Sequence, residues 1–281
     1  MDNARRLLHT PVGLPGSGRI RYGAAMALFA EGVISEAQLD AYREASAYDG
    51  RDPAVLLRDR RLVSIPAAPL SPQESLAGLF DAASDYVTAL SHPGAAEVRA
   101  GLSRRTGNAG AIAPKPHPVV ERWLEPALQV LEISNPQLAH SICAAAPHLA
   151  WASYDRYPRS GIGEAFADGH AYAPIMGEGA AIGARDFELG LFLIAPNTLY
   201  RDHRHAAPEL YAPLTGPHGW RFGPGRPVIW KPAHEPVWNP SQRPHLTKTG
   251  GVPFLCFYVW TADVHQPAEI LPADDWAALE A

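Results

Sequence analysis

The sequence predicts a mainly β fold, a barrel or sandwich of short strands, preceded by α-helices. Three observations carry that expectation. From about residue 151 onward, short runs of β-branched, aromatic and aliphatic residues are separated by Gly, Pro, Asn and Asp at intervals of roughly ten residues, the signature of an antiparallel barrel or sandwich. The chain has 28 prolines and 24 glycines, many of them beyond residue 155, and these suit turns between strands better than long helices. Hydrophobic residues make up 47% and charged residues 19%, enough apolar surface for a sizeable core and unlike a disordered chain.

The elements follow in order. Residues 20–62 read as three helices, the second opened by a capping box in Ser35-x-x-Gln38 and the third by Asp52-Pro53. Residues 63–72 carry three prolines and no charge, an extended connector, so the expected organisation is an N-terminal helical extension (1–70), a helical part of the catalytic domain (71–150) and a barrel (151–281). Ser71-Pro72-Gln73-Glu74 opens a helix with the stripe Leu76, Leu79, Phe80, Ala83 and Val87. A loop at 107–118 and helices at 119–132 and 136–145 come next. Strands are expected at 187–194, 198–203, 209–214, 219–222, 227–230, 235–238, 245–248 and 253–260.

Charge and targeting signals narrow the partners. A net charge of −5 gives no electrostatic reason to expect nucleic acid or an anionic membrane, which leaves a small molecule as the partner. No long apolar run follows Met1, so neither a signal peptide nor a membrane span is expected, and the location implied is cytoplasmic. There Cys143 and Cys256, both in apolar surroundings, would stay thiols. Residues 1–62 hold nine arginines against eight acids, too balanced for a DNA-reading face. A lid, packing against the barrel and a homodimer contact all stay open for them.

The chemistry concentrates in Tyr200-Arg-Asp-His203-Arg-His205-Ala-Ala-Pro-Glu209-Leu-Tyr211, with His245 after a later proline. Strand alternation sends His203 and His205 to one face and Glu209 and Tyr211 to one face of the next strand. Imidazoles plus one carboxylate suit a single divalent transition metal, Zn, Fe or Mn, with Ni or Co as further candidates, and leave positions open for substrate. A lone histidine on a strand is more often an ordinary polar residue. Here the His-x-His, the glutamate and the later Pro-His fall in order within one strand-rich segment.

That order, His-x-His-x-x-x-Glu-x-Tyr and then Pro-His, is similar to the cupin motifs. With Tyr200 ahead of it and Trp260 in the closing strand, the fuller pattern resembles the cupin-type dimethylsulfoniopropionate lyases over roughly residues 72–265. The resemblance implies a cupin (double-stranded β-helix, jelly-roll) barrel with the N-terminal helices packed outside. It also implies that His205, Glu209 and His245 bind the metal, with Tyr211 on or near it as the base that removes the substrate's α-proton. His203 and Tyr200 would line the pocket and position substrate or move protons, and Trp260 would form part of its wall. The implied reaction is base-initiated β-elimination of dimethylsulfoniopropionate to acrylate and dimethyl sulfide.

A sulfonium cation is attracted by aromatic faces, for which Tyr200, Trp238, Tyr258 and Trp260 are candidates, although barrel aromatics are more often core. Trp220 and Trp230 read as structural. His218, His234 and His265 read as surface or loop residues. His170 and Tyr172 are expected before the first barrel strand, and the glycine-rich 176–183 reads as a turn. Two alternatives remain: a related cupin enzyme acting on another small carboxylate or a sugar, and a non-catalytic ligand-sensing cupin.

Overall fold

The computed structural model describes residues 2–281 apart from Ala67 and Ala111, which fall in the expected connector and the expected loop. The chain divides into two units, Met1–Leu70 and Ser71–Ala281. In the first, α1 (Asp2–Leu8), α2 (Ser17–Ala30), α3 (Glu36–Ala45) and α4 (Pro53–Asp59) enclose Leu8, Leu28, Leu39, Tyr42 and Leu57. Ser35 and Gln38 form the capping box of α3, and Asp52 caps α4 ahead of Pro53. Helix α1 precedes the expected helical start at residue 20, because the Pro and Gly between residues 11 and 18 interrupt the apolar period. Arg21 is buried and donates to the carbonyls of Thr10, Pro11, Asp49 and Arg51, so loop backbone satisfies its charge-bearing donors.

The second unit begins with α5 (Pro72–Ala89), opened by the Ser71/Glu74 capping box, then α6 (Ala95–Leu102), α7 (Pro118–Ser134) and α8 (Pro136–Ala145). Short helices α9 (Arg159–Ile162) and α10 (Glu164–Gly169) lead into the strands. These are β1 (His170–Met176), β2 (Glu188–Ile194), β3 (Leu199–Arg204), β4 (Glu209–Pro213), β5 (His218–Arg221), β6 (Ile229–Lys231), β7 (Val237–Asn239), β8 (His245–Thr249), β9 (Phe254–Trp260) and β10 (Glu269–Ile270), followed by α11 (Trp276–Glu280). Among the described residues no helix is long and apolar enough to cross a membrane.

Two five-stranded antiparallel sheets result, ordered β1-β2-β9-β4-β7 and β10-β3-β8-β5-β6. They face one another through Phe192, Tyr211 and Phe254 of the first and Tyr200 and Trp220 of the second, with the Tyr211 and Trp220 rings 4.8 Å apart. This is the cupin barrel. The outer face of the first sheet is covered by α5, α7 and α8. Leu189, Leu191, Leu193, Leu210, Phe257 and Val259 pack there against Leu76, Leu79, Leu124, Leu128 and Ile142. Strands buried on both faces have no polar side, so β2 (ELGLFLI) and β9 (FLCFYVW) read as continuous apolar runs. Gly101 permits the closest helix approach, since a Cβ there would lie 2.0 Å from the Phe187 ring.

Two strands escape the pattern. The 170–176 segment, expected to precede the barrel, is itself β1 and pairs with β2 from His170↔Ile194 onward. β10 has only two residues and pairs Ile270 with His203, too short for any periodicity. Trp230 is half-exposed on β6 and so is not a core residue. Cys256 is a buried free thiol, but Cys143 is exposed, because α8 turns it away from its apolar neighbours.

The outer face of the second sheet is closed by the C-terminal segment. Buried Arg221 on β5 grips the carboxylate of buried Asp202 on β3 and also donates to Asp275 at 2.5 Å, while Trp276 Nε1 donates to Asp202 at 2.7 Å. Removing one member of a fully buried ion pair strands the other charge in a low-dielectric site. Arg221→Ala is therefore expected to lower stability by about 3–5 kcal/mol. Urea unfolding followed by far-UV circular dichroism checks this, and a change below about 1 kcal/mol would contradict a structural role for the pair.

Candidate active site

β3 and β8 run side by side, and His203 stands directly opposite His245 with the rings 4.1 Å apart. His205 leaves the end of β3. Ala206, Ala207 and Pro208 then carry the chain to the opposite sheet, where Glu209 starts β4. The site therefore spans both sheets at one end of the barrel. The ladder has one extra residue between Tyr200 and His203. That bulge lets Tyr200 point inward with His203, against plain alternation, and the two rings stack at 4.0 Å.

Each imidazole is oriented by a main-chain carbonyl. His203 Nδ1 faces Arg201 O at 2.8 Å, His205 Nδ1 faces Ala207 O at 2.7 Å and His245 Nδ1 faces Arg243 O at 2.9 Å. A carbonyl only accepts, so each Nδ1 must be the N–H, which in the neutral ring leaves Nε2 with a lone pair. The three residues offer ring nitrogens that all lie within 4.8 Å of one another, and all three side chains are buried. Nε2 of His203 and Nε2 of His245 have no hydrogen-bond partner.

Glu209 joins this group. Its Oε2 lies 3.0 Å from His205 Nε2 and 3.6 Å from His245 Nε2, and its Oε1 accepts from Trp260 Nε1 at 2.7 Å. With the His205 proton on Nδ1, Oε2 and Nε2 present lone pairs to each other, a contact that requires a proton or a cation between them. Burial alone would raise the Glu209 carboxyl, but the nearby imidazoles outweigh it and hold it at about 2. Burial likewise opposes charge on His205, yet Glu209 outweighs it and raises that imidazole. His203 and His245 are lowered, first by burial and then by their neighbouring imidazoles. Buried imidazoles with inward lone pairs and an adjacent carboxylate fit a divalent metal ion, as the fold also does.

Tyr211 lies beside the group, its ring 6.1 Å from that of His245. Its hydroxyl has no hydrogen-bond partner among the described residues, and burial, then Glu209, raises it well above the usual phenol range. Trp260 packs against His205 with 4.8 Å between rings. Tyr258 points into the same interior, where its hydroxyl donates to Glu188 at 2.7 Å. Trp238 does not reach the site. It lies opposite Leu210, which faces the helical layer, and its ring sits 5.7 Å from His92 outside the barrel. Alternation within β7 explains this: Val237 and Asn239 point in, so Trp238 points out.

His218 is not a surface residue. It is fully buried on β5 and accepts from Trp220 Nε1 at 2.6 Å. His234 is half-buried between Tyr86 and Ser134, and His265 is exposed. His170 is occupied by backbone, donating to Phe166 O and accepting from Tyr154 N. Through that second bond it helps orient Tyr154, which stacks on Tyr172 at 4.9 Å and which the sequence gave no reason to select. Also unselected were Asn239, directly opposite Glu209, and Thr247, opposite Tyr200; both are buried, with side-chain polar atoms lacking partners. Only parity with the interior residues of their strands would have revealed them. A separate cavity of about 460 Å³, lined by Leu124, Leu128 and Trp151, contains none of these residues in its wall.

Comparison with known proteins gives the following. The family model for dimethylsulfoniopropionate lyase matches residues 98–256. Dimethylsulfoniopropionate lyase DddQ of Ruegeria pomeroyi is 28% identical over 116 residues, which cover 38% of this chain and 53% of the relative, so the match spans about half the relative's length. A chain from the crystal structures of the DMSP lyases RdDddP and RnDddQII superposes with a TM-score of 0.55 at 20% identity, covering 72% of this chain and all of that one. DddQ of R. pomeroyi DSS-3 gives 0.51 at 21%, covering 68% and 95%. At such identities the superpositions establish the fold.

Burial pushes His218 and His170 down to about 4. Both are neutral when folded above that value and protonate near 6.5 when unfolded, so stability is fully present above 6.5 and is lost as pH falls from 6.5 toward 4. Each contributes at most about 3 kcal/mol to that loss. Urea unfolding as a function of pH should show the decline. His218→Gln, which keeps an acceptor for Trp220, should make it shallower by about one proton's slope; an unchanged slope would rule out His218 as a contributor.

Proposed function

The chain belongs to the dimethylsulfoniopropionate lyase family, and on that premise we propose that it is a metal-dependent lyase that cleaves dimethylsulfoniopropionate to acrylate and dimethyl sulfide. The observation that carries this function is the convergence of three imidazole lone pairs, two of them unpartnered and buried, beside the Glu209 carboxylate. His205, His245 and Glu209 hold the ion in this proposal. His203 is a fourth candidate ligand, because its Nε2 is oriented in the same way as theirs. When bound, a divalent cation supplies a Lewis acid that polarises a carboxylate beside it and acidifies the neighbouring C–H.

Tyr211 is the proposed base. Its hydroxyl has no competing partner, and positive charge at the histidine cluster opposes the burial and the Glu209 charge that hold the phenol neutral. The base takes the α-proton, the C–H electron pair forms the Cα–Cβ double bond, and the C–S pair leaves with sulfur as dimethyl sulfide. Tyr200, stacked on His203, is the proposed donor to substrate; burial and then Glu209 raise its phenol as they do that of Tyr211, and the two roles differ in this proposal by which hydroxyl meets the α-proton. Trp260 fixes Glu209 through its indole N–H and forms the adjacent wall. Buried Phe192, Tyr200, Tyr211 and Tyr258 surround this end of the barrel and would limit the water that competes for the developing carbanion charge.

Metal-loaded protein is expected to release dimethyl sulfide from dimethylsulfoniopropionate, measured by headspace gas chromatography. Tyr211→Phe should reduce kcat by about 100-fold or more with metal content unchanged. His205→Ala and His245→Ala should lose bound metal by elemental analysis. A wild-type protein that releases no dimethyl sulfide, or a Tyr211→Phe variant that matches wild type, overturns the proposal.

A further inference from the structure

A row of interior residues crosses the first sheet at the level of the histidine cluster. Glu188 on β2 stands opposite Trp260 on β9, which stands opposite Glu209 on β4. Directly opposed residues of antiparallel strands share a face, so Glu188 looks into the same interior as Glu209. Two strand spacings, roughly 10 Å, separate their backbones. Glu188 is thus a further carboxylate facing the barrel interior, and the mechanism above does not use it.

Its surroundings are aromatic. Tyr258 donates its hydroxyl to Glu188 Oε1 at 2.7 Å. The Tyr258 ring lies across Gly190, where a Cβ would come within 2.5 Å of it, so only glycine lets the phenol lie flat along the strand and reach the carboxylate. Tyr172 meets Tyr258 edge-on at 6.4 Å and stacks on Tyr154 at 4.9 Å. The Tyr154 ring also lies 6.1 Å from that of Tyr200, so this aromatic row runs from Tyr258 to the residue stacked on His203. No lysine or arginine forms an ion pair with Glu188 among the described residues; burial raises its carboxyl, and the Tyr258 bond and then the charge of exposed His265 offset this only in part. A largely buried carboxylate whose charge is offset only by an exposed imidazole is costly. A permanent cation among phenol faces would remove that cost, since onium groups are weakly hydrated and drawn to both charge and ring quadrupoles.

We propose that Glu188, held by Tyr258 and walled by Tyr172 and Tyr154, is the subsite for the onium end of a zwitterionic substrate whose carboxylate end lies at the histidine cluster. The inference rests on the function proposed above for the choice of a sulfonium as that onium group. Recognition at the two ends selects a short onium carboxylate over a simple carboxylic acid.

The test uses the whole chain described here, metal-loaded, and two ligands of matched shape, 3-(trimethylammonio)propanoate and 4,4-dimethylpentanoate, which differ in the onium charge. Calorimetric titration of wild type should show the onium ligand preferred by about tenfold or more. Glu188→Gln keeps an acceptor for Tyr258 and should abolish most of that preference while leaving 4,4-dimethylpentanoate affinity and metal content unchanged. Tyr258→Phe, which frees Glu188 but keeps the ring, should lose part of it. The subsite is overturned if wild type shows no preference, or if Glu188→Gln keeps the wild-type preference with an unchanged thermal midpoint. If the preference behaves as expected but wild type releases no dimethyl sulfide, the subsite stands and the lyase function falls.

Discussion

Three imidazoles can share one small buried space only when their protonated nitrogens are turned away from it. In this barrel the turning is done by main-chain carbonyls, those of Arg201 and Arg243 two residues before their histidines and that of Ala207 two residues after its own. Much else follows from that constraint. The lone pairs face inward, the inward face tolerates a carboxylate only if a positive charge sits between, and Glu209 is tied from its far side by the Trp260 indole. The polarity of the site is thus fixed by backbone geometry on one side and by a single indole on the other.

The two sheets divide the remaining work. The first is buried twice, under the helices and inside the barrel, and it contributes Glu209, Tyr211, Tyr258 and Trp260 from strands whose alternate residues anchor to α5, α7 and α8. The second contributes His203 and His245 and, among the described residues, meets the short helices α9, α10 and α11 at β3 rather than a covering of long ones. Its outer face is instead held by an ion pair, an indole and the C-terminal helix, so polar contacts there take over what apolar packing does on the opposite side. A rigid wall with a tethered wall opposite suits a site that must keep several side chains in fixed geometry.

Much of this was legible in the chain. The capping boxes at Ser35 and Ser71 and the strand cores around residues 190, 211, 246 and 257 follow from local chemistry that tertiary context does not override. The His-x-His, Glu-x-Tyr and Pro-His spacings led to residues that the fold brings together. Three kinds of residue escaped. Trp238 was misassigned because an aromatic on a barrel strand says nothing of which face it occupies until a register is known. His218 was misplaced because its nearness to a turn suggested the surface, whereas it shares the inward parity of Trp220 on β5 and accepts from that indole. Tyr154, Asn239 and Thr247 lie outside any motif, and their importance comes from parity with strands that only pairing defines. The extra residue in β3 was likewise invisible, and without it Tyr200 would have been expected on the outside.

That extra residue also changes the outer surface. Because β3 advances three residues where β8 advances two, Arg201 and Asp202 both point away from the interior as immediate neighbours. Arg201 reaches Glu280 and the Trp276 ring, and Asp202 reaches Arg221 and the Trp276 indole. A regular strand would present a single handhold over that stretch. Here the backbone is moored at two adjacent points, one residue short of His203, so rocking of the strand about its own axis is damped where a small rotation would swing an imidazole lone pair off its target.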